Sequence, residues 1–426
     1  MYLKGSDWQM KKRRKQRRSN PALILLLLGL IAAVIYFDRF VVAEIPAISQ
    51  PTPTATLNPE SIWQNAKENY EQGNLQRSIE LYTQVIQLDP TNDQIYVELA
   101  RIQVLAGYYE AAQTSASNAL LLNPDNPSAH AVLGWTLNFL GHSTEAEQSF
   151  LDALELDPES AQAHAYYAEW LVDDLQYDEA KIYASKALEI EPTLLEAHSA
   201  RGYVYWITGN YELAIEEYKI AIEMSDKIAD LHLSLGLVYQ SLDLLDEAIN
   251  EFGLADSYNP ANPLPVTYTA RIYMFTGEYA KAIQFAKQAV SKDPTNPIRW
   301  GNLGQAYYNN FQYTESIEAF ELAIHGGLTD DNQAVAGLTL SNEVSFYFYL
   351  YGFSLANTRQ CTKAVPIAQA ILNAVPGDQI AVDNANEIYA ICESYISEVE
   401  ITPTVEIETT SPPSGNQREP TNMRFW

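Results

Sequence analysis

The chain has only two cysteines, Cys361 and Cys392, among its 426 residues. Two cysteines are too few for a disulfide-stapled scaffold, and neither belongs to a C-x-x-C pair of the kind that binds zinc or exchanges electrons. Common catalytic and nucleotide-binding signatures, among them G-x-S-x-G, H-E-x-x-H and G-x-x-x-x-G-K-[ST], are also missing. The sequence therefore predicts a protein without catalytic activity, cofactor or metal site.

Basic residues are scarce as well, with 26 Lys and Arg against 54 Asp and Glu and a net charge of −28. Eight of the bases lie within residues 1–20, where Asp7 is the only acid, so the remaining chain is still more acidic. A body of that charge repels phosphate backbones. We therefore expect no nucleic acid partner for the acidic body, and a membrane or compartment boundary near the basic end.

An uncharged run at residues 21–37 follows the basic segment directly. As a helix it would be about 25 Å long, close to the ~30 Å hydrocarbon core, and residues 40–42 extend the apolar surface. Because cationic flanks stay in the cytoplasm, we predict a transmembrane signal-anchor helix over residues 21–42. Residues 1–20 would be cytoplasmic, and the body would lie outside the cytoplasm, on the other side of the cytoplasmic membrane. The alternative is a signal peptide cleaved near Ala43, which would leave a secreted or periplasmic protein.

Two segments lack any apolar period. Residues 43–58 are rich in Pro and Thr, which predicts a semi-extended linker that holds the body away from the bilayer. Residues 399–426 contain Thr-Pro-Thr and Ser-Pro-Pro and are predicted to be a disordered tail. The folded body is therefore expected between residues 59 and 398.

That body repeats every 34 residues. Three independent series of residue types follow the same step: a proline series, an alanine series and a glycine series. Their members are Pro90, Pro124, Pro158, Pro192, Pro260 and Pro294; Ala112, Ala146, Ala180, Ala214, Ala248 and Ala282; Gly73, Gly107, Gly141, Gly209 and Gly277. Such a period is typical of stacked supersecondary units.

Each unit has the pattern of two helices. In residues 127–158, His130, Gly134 and Leu137 share one face of a first helix, and Ala146 and Phe150 share one face of a second. The glycine at the tight turn separates the two helices, and a proline ends the second one. Every unit is thus predicted to be a helical hairpin whose apolar face is covered by its neighbours.

The pattern of small, aromatic and proline positions resembles the tetratricopeptide repeat family, here of a membrane-anchored bacterial type. The resemblance covers residues 59–398 and implies an all-α fold, a right-handed α-solenoid of about nine hairpins. The units begin near Pro59, Asp93, Pro127, Ala161, Leu195, Ala229, Pro263, Pro297 and Ser345. An insertion is expected at about 331–344 and a capping helix at residues 379–398. The pattern departs from the family at Leu175, Asp243 and Phe311, where the turn glycine is expected.

Four histidines, His130, His164, His198 and His232, also stand 34 residues apart. A metal site would need their nitrogens within about 2.1 Å of one ion, whereas packed elements are on the order of 10 Å apart. We therefore interpret them as packed core residues, and predict no metal. The acidic pair Asp173-Asp174 has no base beside it and does not indicate catalysis.

The resemblance implies that the first helices line a concave groove, and several residues lie off the core stripe of those helices. We predict that the protein is a non-catalytic scaffold that binds an extended peptide or partner protein there, with self-assembly as the architectural alternative. The carboxylate clamp of chaperone-tail binders is not visible, because the corresponding places hold Trp63, Lys67, Glu98 and Arg101. The candidate groove residues are Trp135, Phe139, Tyr166, Glu169, Tyr203, Trp206, Tyr268, Arg271, Met274, Phe275 and Tyr308.

The two cysteines fall at ends of neighbouring predicted helices in the ninth unit and the cap. Antiparallel packing would bring Cys361 and Cys392 together. We therefore expect a disulfide between them if the body lies outside the cytoplasm.

Overall fold

The structure is a computed structural model that describes residues 21–36 and 58–400. It divides into two compact units, Met1–Asn58 and Pro59–Trp426. The predicted basic segment at 1–20 and almost all of the linker at 43–58 lie outside the described residues. So does the tail, except for its first two residues.

Within the first unit, one apolar helix is described, α1 at Pro21–Tyr36. It begins where the apolar run begins, and its large side chains are exposed. At 16 residues it is about 24 Å long, shorter than the roughly 30 Å of a hydrocarbon core. None of the described helices has the length and apolar character needed to cross a membrane. The transmembrane helix predicted over residues 21–42 is therefore not found in the described part of the chain, and residues 37–42 lie outside it.

The second unit is built of antiparallel helical hairpins followed by one long helix. Its helices are α2 Pro59–Glu71, α3 Leu75–Leu88, α4 Asp93–Leu105, α5 Tyr109–Leu122, α6 Pro127–Phe139, α7 Ser143–Leu156, α8 Ala161–Asp173, α9 Tyr177–Ile190, α10 Leu195–Ile207, α11 Tyr211–Met224, α12 Ala229–Ser241, α13 Leu245–Tyr258, α14 Leu264–Phe275, α15 Tyr279–Lys292, α16 Pro297–Asn309, α17 Tyr313–His325, α18 Ser345–Asn357, α19 Cys361–Ala374 and α20 Gln379–Glu400. The all-α solenoid expected from the repeat is confirmed.

The first helices begin where the repeat predicts, and side-chain caps explain several of these starts. Asn92, Asn126, Ser160 and Asn296 each accept a hydrogen bond from a backbone N–H in the first turn of the following helix. Such caps satisfy donors that the helix itself leaves free. Only α14 begins one residue later than expected, because Pro263 occupies its N-cap position.

Within a hairpin, small residues allow the two helices to approach closely. A Cβ atom on Gly134 would lie 2.8 Å from the ring of Phe150, and one on Gly236 would lie 2.6 Å from the ring of Phe252. Both phenylalanines are buried. In these hairpins the glycine of the first helix therefore makes room for the aromatic side chain of the second helix.

The turns inside the hairpins share one backbone conformation. The turn glycines have positive φ, for example +76° at Gly141, and the three departures from the glycine pattern do as well. Leu175, Asp243 and Phe311 have φ values of 64°, 60° and 61°. An L-residue is strained in this left-handed region. The turn shape is thus kept at these places, at the expense of local strain.

A short β-hairpin interrupts the array between the eighth and ninth helical hairpins. Strands β1 Gly327–Leu328 and β2 Ala334–Val335 pair antiparallel. The non-helical segment begins at Gly326, because α17 ends at His325, whereas the sequence placed the start of the insertion near 331. Gly326 adopts φ 69°, and a Cβ there would lie 2.5 Å from the carbonyl oxygen of Val335.

The C-terminal end of the array is cross-linked. A disulfide joins Cys361, the first residue of α19, to Cys392 in α20, with their Cα atoms 5.5 Å apart. Cys392 is buried, and Ala381, Ala385 and Ile388 place the apolar face of α20 in the same cluster. Helix α20 thus covers the apolar face that the last hairpin would otherwise expose, which is the role of a capping helix in repeat arrays.

The array also winds back on itself. The amide of Asn259, after α13, lies 3.5 Å from the carbonyl oxygen of Ala106, after α4. The guanidinium of Arg101 in α4 pairs with the carboxylate of Glu196 in α10. These contacts join the second hairpin to the fifth and sixth hairpins across the inner face.

Candidate binding cavity

The closed inner face contains a cavity of about 400 Å³. Residues of the first helices α4, α6, α8, α10 and α12 supply most of its lining, joined by Tyr109 at the start of α5. Phe139, one of its lining residues, is 45% exposed and lies at the opening to solvent. Ligand-binding clefts in proteins are typically about 300–1,000 Å³ in volume.

One repeat position supplies the inner surface of four consecutive hairpins. It is occupied by Arg101, Trp135, Glu169 and Tyr203, each 34 residues after the last. The indole Nε1 of Trp135 donates a hydrogen bond to Oε2 of Glu169 at 2.6 Å, which links the third and fourth hairpins. Side chains at this position therefore form a continuous row along the inner face.

Aromatic rings make up one part of the cavity wall. Trp135 stacks on Tyr166 with ring centroids 4.2 Å apart, and Phe139 meets the edge of Trp135 at 5.9 Å. Phe139 also stacks on Tyr109 at 4.7 Å. Tyr203 and Trp206 lie side by side at 5.9 Å on α10. Stacked rings hold one another in place, so this wall is preorganised.

Four carboxyl groups, on Glu169, Asp173, Glu196 and Asp230, make up another part of the wall. Asp173 is at the rim and accepts hydrogen bonds from the hydroxyl of Tyr203 at 2.6 Å and from the amide of Asn138 at 2.7 Å. Glu196 is 1% exposed, and its Oε2 atom has no hydrogen bond. No residue in the described part of the chain hydrogen-bonds to the carboxylate of Asp230.

Burial raises the pKa of two of these acids. Burial raises the pKa of Glu169 to about 8; the hydrogen bond from Trp135 opposes this, while the charges of Asp173, Glu196 and Asp230 add to it. Burial raises the pKa of Asp230 to about 6. At neutral pH Glu169 is therefore mostly protonated and Asp230 mostly ionised.

Arg101 pairs with Glu196 but does not itself line the cavity, and it remains charged. Burial acts to lower its pKa, but the charge of Glu196 and hydrogen bonding raise the pKa well above its ordinary value. Its Nη2 atom also donates to the hydroxyl of Tyr70 at 2.9 Å. The guanidinium is thus held by Glu196 and Tyr70 of the array.

Five candidate groove residues line this cavity, namely Trp135, Phe139, Glu169, Tyr203 and Trp206. Tyr166 is 1% exposed and does not line the cavity, but its ring stacks on Trp135. Its hydroxyl is buried without a hydrogen bond.

The other five candidates lie on α14 and α16, outside the cavity. Tyr268 packs on Phe252 with centroids 5.5 Å apart, and the guanidinium of Arg271 lies 5.7 Å from the ring of Tyr268. Tyr308 is 6.5 Å from Phe353. Met274 is half-buried, and its sulfur is 3.8 Å from the amide of Asn309, whereas Phe275 is 74% exposed. The structure thus separates the candidate set into two groups.

Most of the other cavity residues were not among the sequence candidates, including Tyr109, Glu196 and Asp230. Glu196 and Asp230 share one repeat position, the second residue of α10 and the second of α12. A comparison of acids by repeat position would have paired them, but only the closure of the array places both at the cavity.

The histidine series has a common structural role. The Nε2 atoms of His130, His164, His198 and His232 lie 2.9, 2.9, 3.0 and 2.9 Å from the carbonyl oxygen of the residue six positions earlier. Each ring thus ties a first helix to the loop that precedes it. Within residues 21–36 and 58–400, no group of three His, Cys, Asp or Glu is placed to hold a metal ion.

Family models described as tetratricopeptide repeat match the chain over residues 69–136, over 127–160, and over 199–262 together with 268–332. Together they span just over half of the sequence. No curated protein matches it.

Two solved structures with TM-scores above 0.5 share the fold at low sequence identity. The Cut9–Hcn1 hetero-tetramer of the APC/C matches with a TM-score of 0.53 and 14% identity, over 85% of this chain and 82% of that chain. The human IFIT1 dimer with PPP-AAAA matches with a TM-score of 0.52 and 18% identity, over 79% and 82%. A tetratricopeptide repeat protein from Parabacteroides merdae gives a TM-score of 0.40 and 17% identity, over 58% and 98%. With the repeat, the hairpins and the family matches in agreement, the chain belongs to the tetratricopeptide repeat proteins.

Proposed function

We propose that the protein is a non-catalytic scaffold that binds an extended segment of a partner protein at the inner face of its array. Tetratricopeptide repeat arrays commonly mediate protein–protein interaction, and they are generally non-catalytic. The observation that carries the proposal is the cavity of about 400 Å³ with its aromatic wall. Aromatic side chains dominate binding hot spots because they bury a large area and lose little conformational entropy.

The position of Phe139 supports binding from the open side. Its ring is 45% exposed although it stacks on Tyr109, so the array itself leaves this apolar surface uncovered. A partner segment lying over Phe139 would continue into the cavity beneath it. The buried surroundings of Trp135 would then exclude water from the contact, as the surroundings of hot spots do.

The test is site-specific photo-crosslinking in the native cell. A photoreactive amino acid at position 139 should capture one discrete partner, and Trp206→Ala should abolish the product. The matched control places the same group at Leu121, which is 80% exposed on the second helix α5. Identical products from both positions, or none from position 139, would contradict the proposal. A product that contains a second copy of this chain would support the self-assembling alternative instead.

We further propose that residues 21–42 attach the protein to the cytoplasmic membrane, with the array on the far side. The basic cluster before the apolar run supports this orientation. The disulfide between Cys361 and Cys392 is in keeping with it, because disulfides persist in oxidising compartments. The full chain should remain with membranes in alkaline carbonate, and external protease should digest the array in intact spheroplasts. Release by carbonate, or complete protection from protease, would refute the attachment or the orientation.

A further inference from the structure

We propose that the cavity receives the cationic end of a lysine or arginine side chain from the partner segment. This inference rests on the proposed function and adds the chemistry that the partner must present. Four observations carry it: the sign of the charges in the wall, the carboxylate oxygens that lack donors, the aromatic faces beside them, and the size of the space.

The charge of the wall is negative and uncompensated. Glu169, Asp173, Glu196 and Asp230 all line the cavity, and no lysine, arginine or histidine is among the described residues that line it. Arg101 is the neighbouring cation, and it already pairs with one oxygen of Glu196 and with Tyr70. Even with Glu169 mostly protonated at neutral pH, a guanidinium that already pairs with Glu196 cannot balance the other carboxyl groups, so the cavity favours a second positive charge.

Two of the carboxyl groups have acceptor capacity that the protein does not use. Oε2 of Glu196 is buried without a hydrogen bond, although the side chain is only 1% exposed. The carboxylate of Asp230 receives no hydrogen bond from any described residue. An ammonium group offers three donors and a guanidinium five, so either has donors for more than one carboxylate oxygen. A neutral amide or hydroxyl would supply fewer donors and no charge.

The aromatic wall favours an organic cation with a carbon stem. Trp135, Tyr203 and Trp206 present ring surfaces beside the carboxyl groups, and cations are attracted to such faces. Leu105 and Leu237 supply apolar lining that an aliphatic stem can cover. A bare metal ion would need several carboxylates converging on one point, and the described residues contain no such group.

The raised pKa of Glu169 agrees with a cation-binding role for the cavity. Burial, with the neighbouring charges, raises the pKa of Glu169 to about 8, which is the response of a carboxyl group that lacks a positive partner. A cation that enters beside it would favour the ionised form. Binding at pH 7 should therefore release a proton from Glu169, and the affinity should rise between pH 6 and pH 9.

The test compares acetylated and amidated Gly-Lys-Gly with its arginine and norleucine counterparts and with free cadaverine. Affinity would be followed by the indole N–H signals of Trp135 and Trp206 in nuclear magnetic resonance spectra. The lysine and arginine peptides should bind at least about tenfold more tightly than the norleucine peptide. Asp230→Asn and Glu169→Gln should each weaken lysine binding about fivefold or more and leave norleucine binding unchanged. The control Glu216→Gln removes an exposed acid from α11 and should change neither.

Several results would overturn the inference. Equal affinity for the lysine and norleucine peptides would refute it, as would wild-type lysine affinity in folded Asp230→Asn protein. Tighter binding of free cadaverine than of the lysine peptide would assign the site to a small amine instead. Partner capture through position 139 without lysine selectivity would refute this inference alone. Lysine selectivity without any captured partner would refute the proposed function but not the cation preference of the cavity.

Discussion

Lys227 donates a hydrogen bond from Nζ to the carbonyl oxygen of Gln72 at 2.9 Å, although 155 positions separate the two residues. Gln72 belongs to the turn of the first hairpin, and Lys227 lies between the fifth and sixth hairpins. The contact closes the inner face beside the pair formed by Arg101 and Glu196. The cavity therefore depends on the winding of several successive hairpins, and not on any one hairpin.

Gly73, next to this contact, provides a test of the closure. Gly73 has φ +70°, and a Cβ there would collide with Cβ of Lys227. Gly141 has nearly the same conformation, φ +76°, with nothing within 4 Å, so it is the matched control. Gly141→Ala should lower the free energy of unfolding by about 1 kcal/mol through backbone strain. Gly73→Ala should lower it by roughly a further 1–3 kcal/mol through overpacking.

Urea denaturation would measure both free energies of unfolding, and electron–electron distance measurements between labels at the exposed positions 68 and 223 would report the closure without replacing Lys227. An equal loss of stability in the two variants, with an unchanged distance distribution, would show that the contact does not constrain the array.

The hairpins were predictable from the sequence because their determinants are local. Caps such as Asn126, turn glycines such as Gly141 and the small residue Gly134 act within one unit and recur every 34 residues. The acids Glu196 and Asp230 were not recognised as cavity residues, because their place depends on how much each hairpin rotates relative to the last. That rotation accumulates over several units, and it cannot be predicted from a local pattern in the sequence.

The small residues of the first helices lead to a second prediction. A Cβ on Gly236 would lie 2.6 Å from the ring of Phe252, whereas one on Gly253 of α13 would have nothing within 4 Å. Gly236→Ala should therefore lower the free energy of unfolding by about 1–3 kcal/mol, because the ring has no free space into which it can move. Gly253→Ala should raise it by roughly 0.5–1 kcal/mol, since alanine is the better helix former. Thermal and urea denaturation of the two variants would check the opposite signs.

The strained turn at Leu175 leads to a third prediction, about backbone conformation. Leu175 is 71% exposed and has φ 64°, so its side chain contributes little packing while its backbone is strained. Leu175→Gly should stabilise the protein by about 0.5–1 kcal/mol. The substitution relieves the backbone strain, and this gain is partly offset because glycine has a greater conformational entropy in the unfolded chain. Leu175→Ala keeps the left-handed strain and serves as the control. If both substitutions change the free energy of unfolding equally, the left-handed conformation is not the source of the effect.

The disulfide between Cys361 and Cys392 leads to a fourth prediction, about stability. It closes a loop with a sequence separation of 31 between Cys361 and Cys392. The double variant Cys361→Ser with Cys392→Ser should lose about 3–4 kcal/mol, because the unfolded chain regains the entropy of that loop. Hydrogen exchange should accelerate first in α19 and α20, which the bridge joins. Under reducing conditions wild type and variant should become equally stable; a remaining difference would assign the loss to packing around Cys392.

Glu169 leads to a prediction about pH. In the folded protein its pKa is about 8, against an ordinary value of 4.5, so the folded state holds a proton that the unfolded state has lost between these values. The free energy of unfolding of the wild type should therefore fall as pH rises from 4.5 to 8. The groups that face Glu169 from the surrounding helices are Tyr109, Trp135, Tyr166, Asp173, Glu196, Tyr203, Tyr218 and Asp230.

Glu169→Gln removes this titration and retains an oxygen that can accept the hydrogen bond from Trp135. The variant should match the wild type near pH 4.5 and exceed its stability by a few kcal/mol, on the order of 2–4, at pH 8. Urea denaturation across this pH range would measure the difference. Glu216→Gln, on the exposed face of α11, should follow the wild-type curve throughout. A constant difference between Glu169→Gln and wild type across the range would mean that Glu169 is ionised in the folded cavity, with a positive partner already supplied by the array.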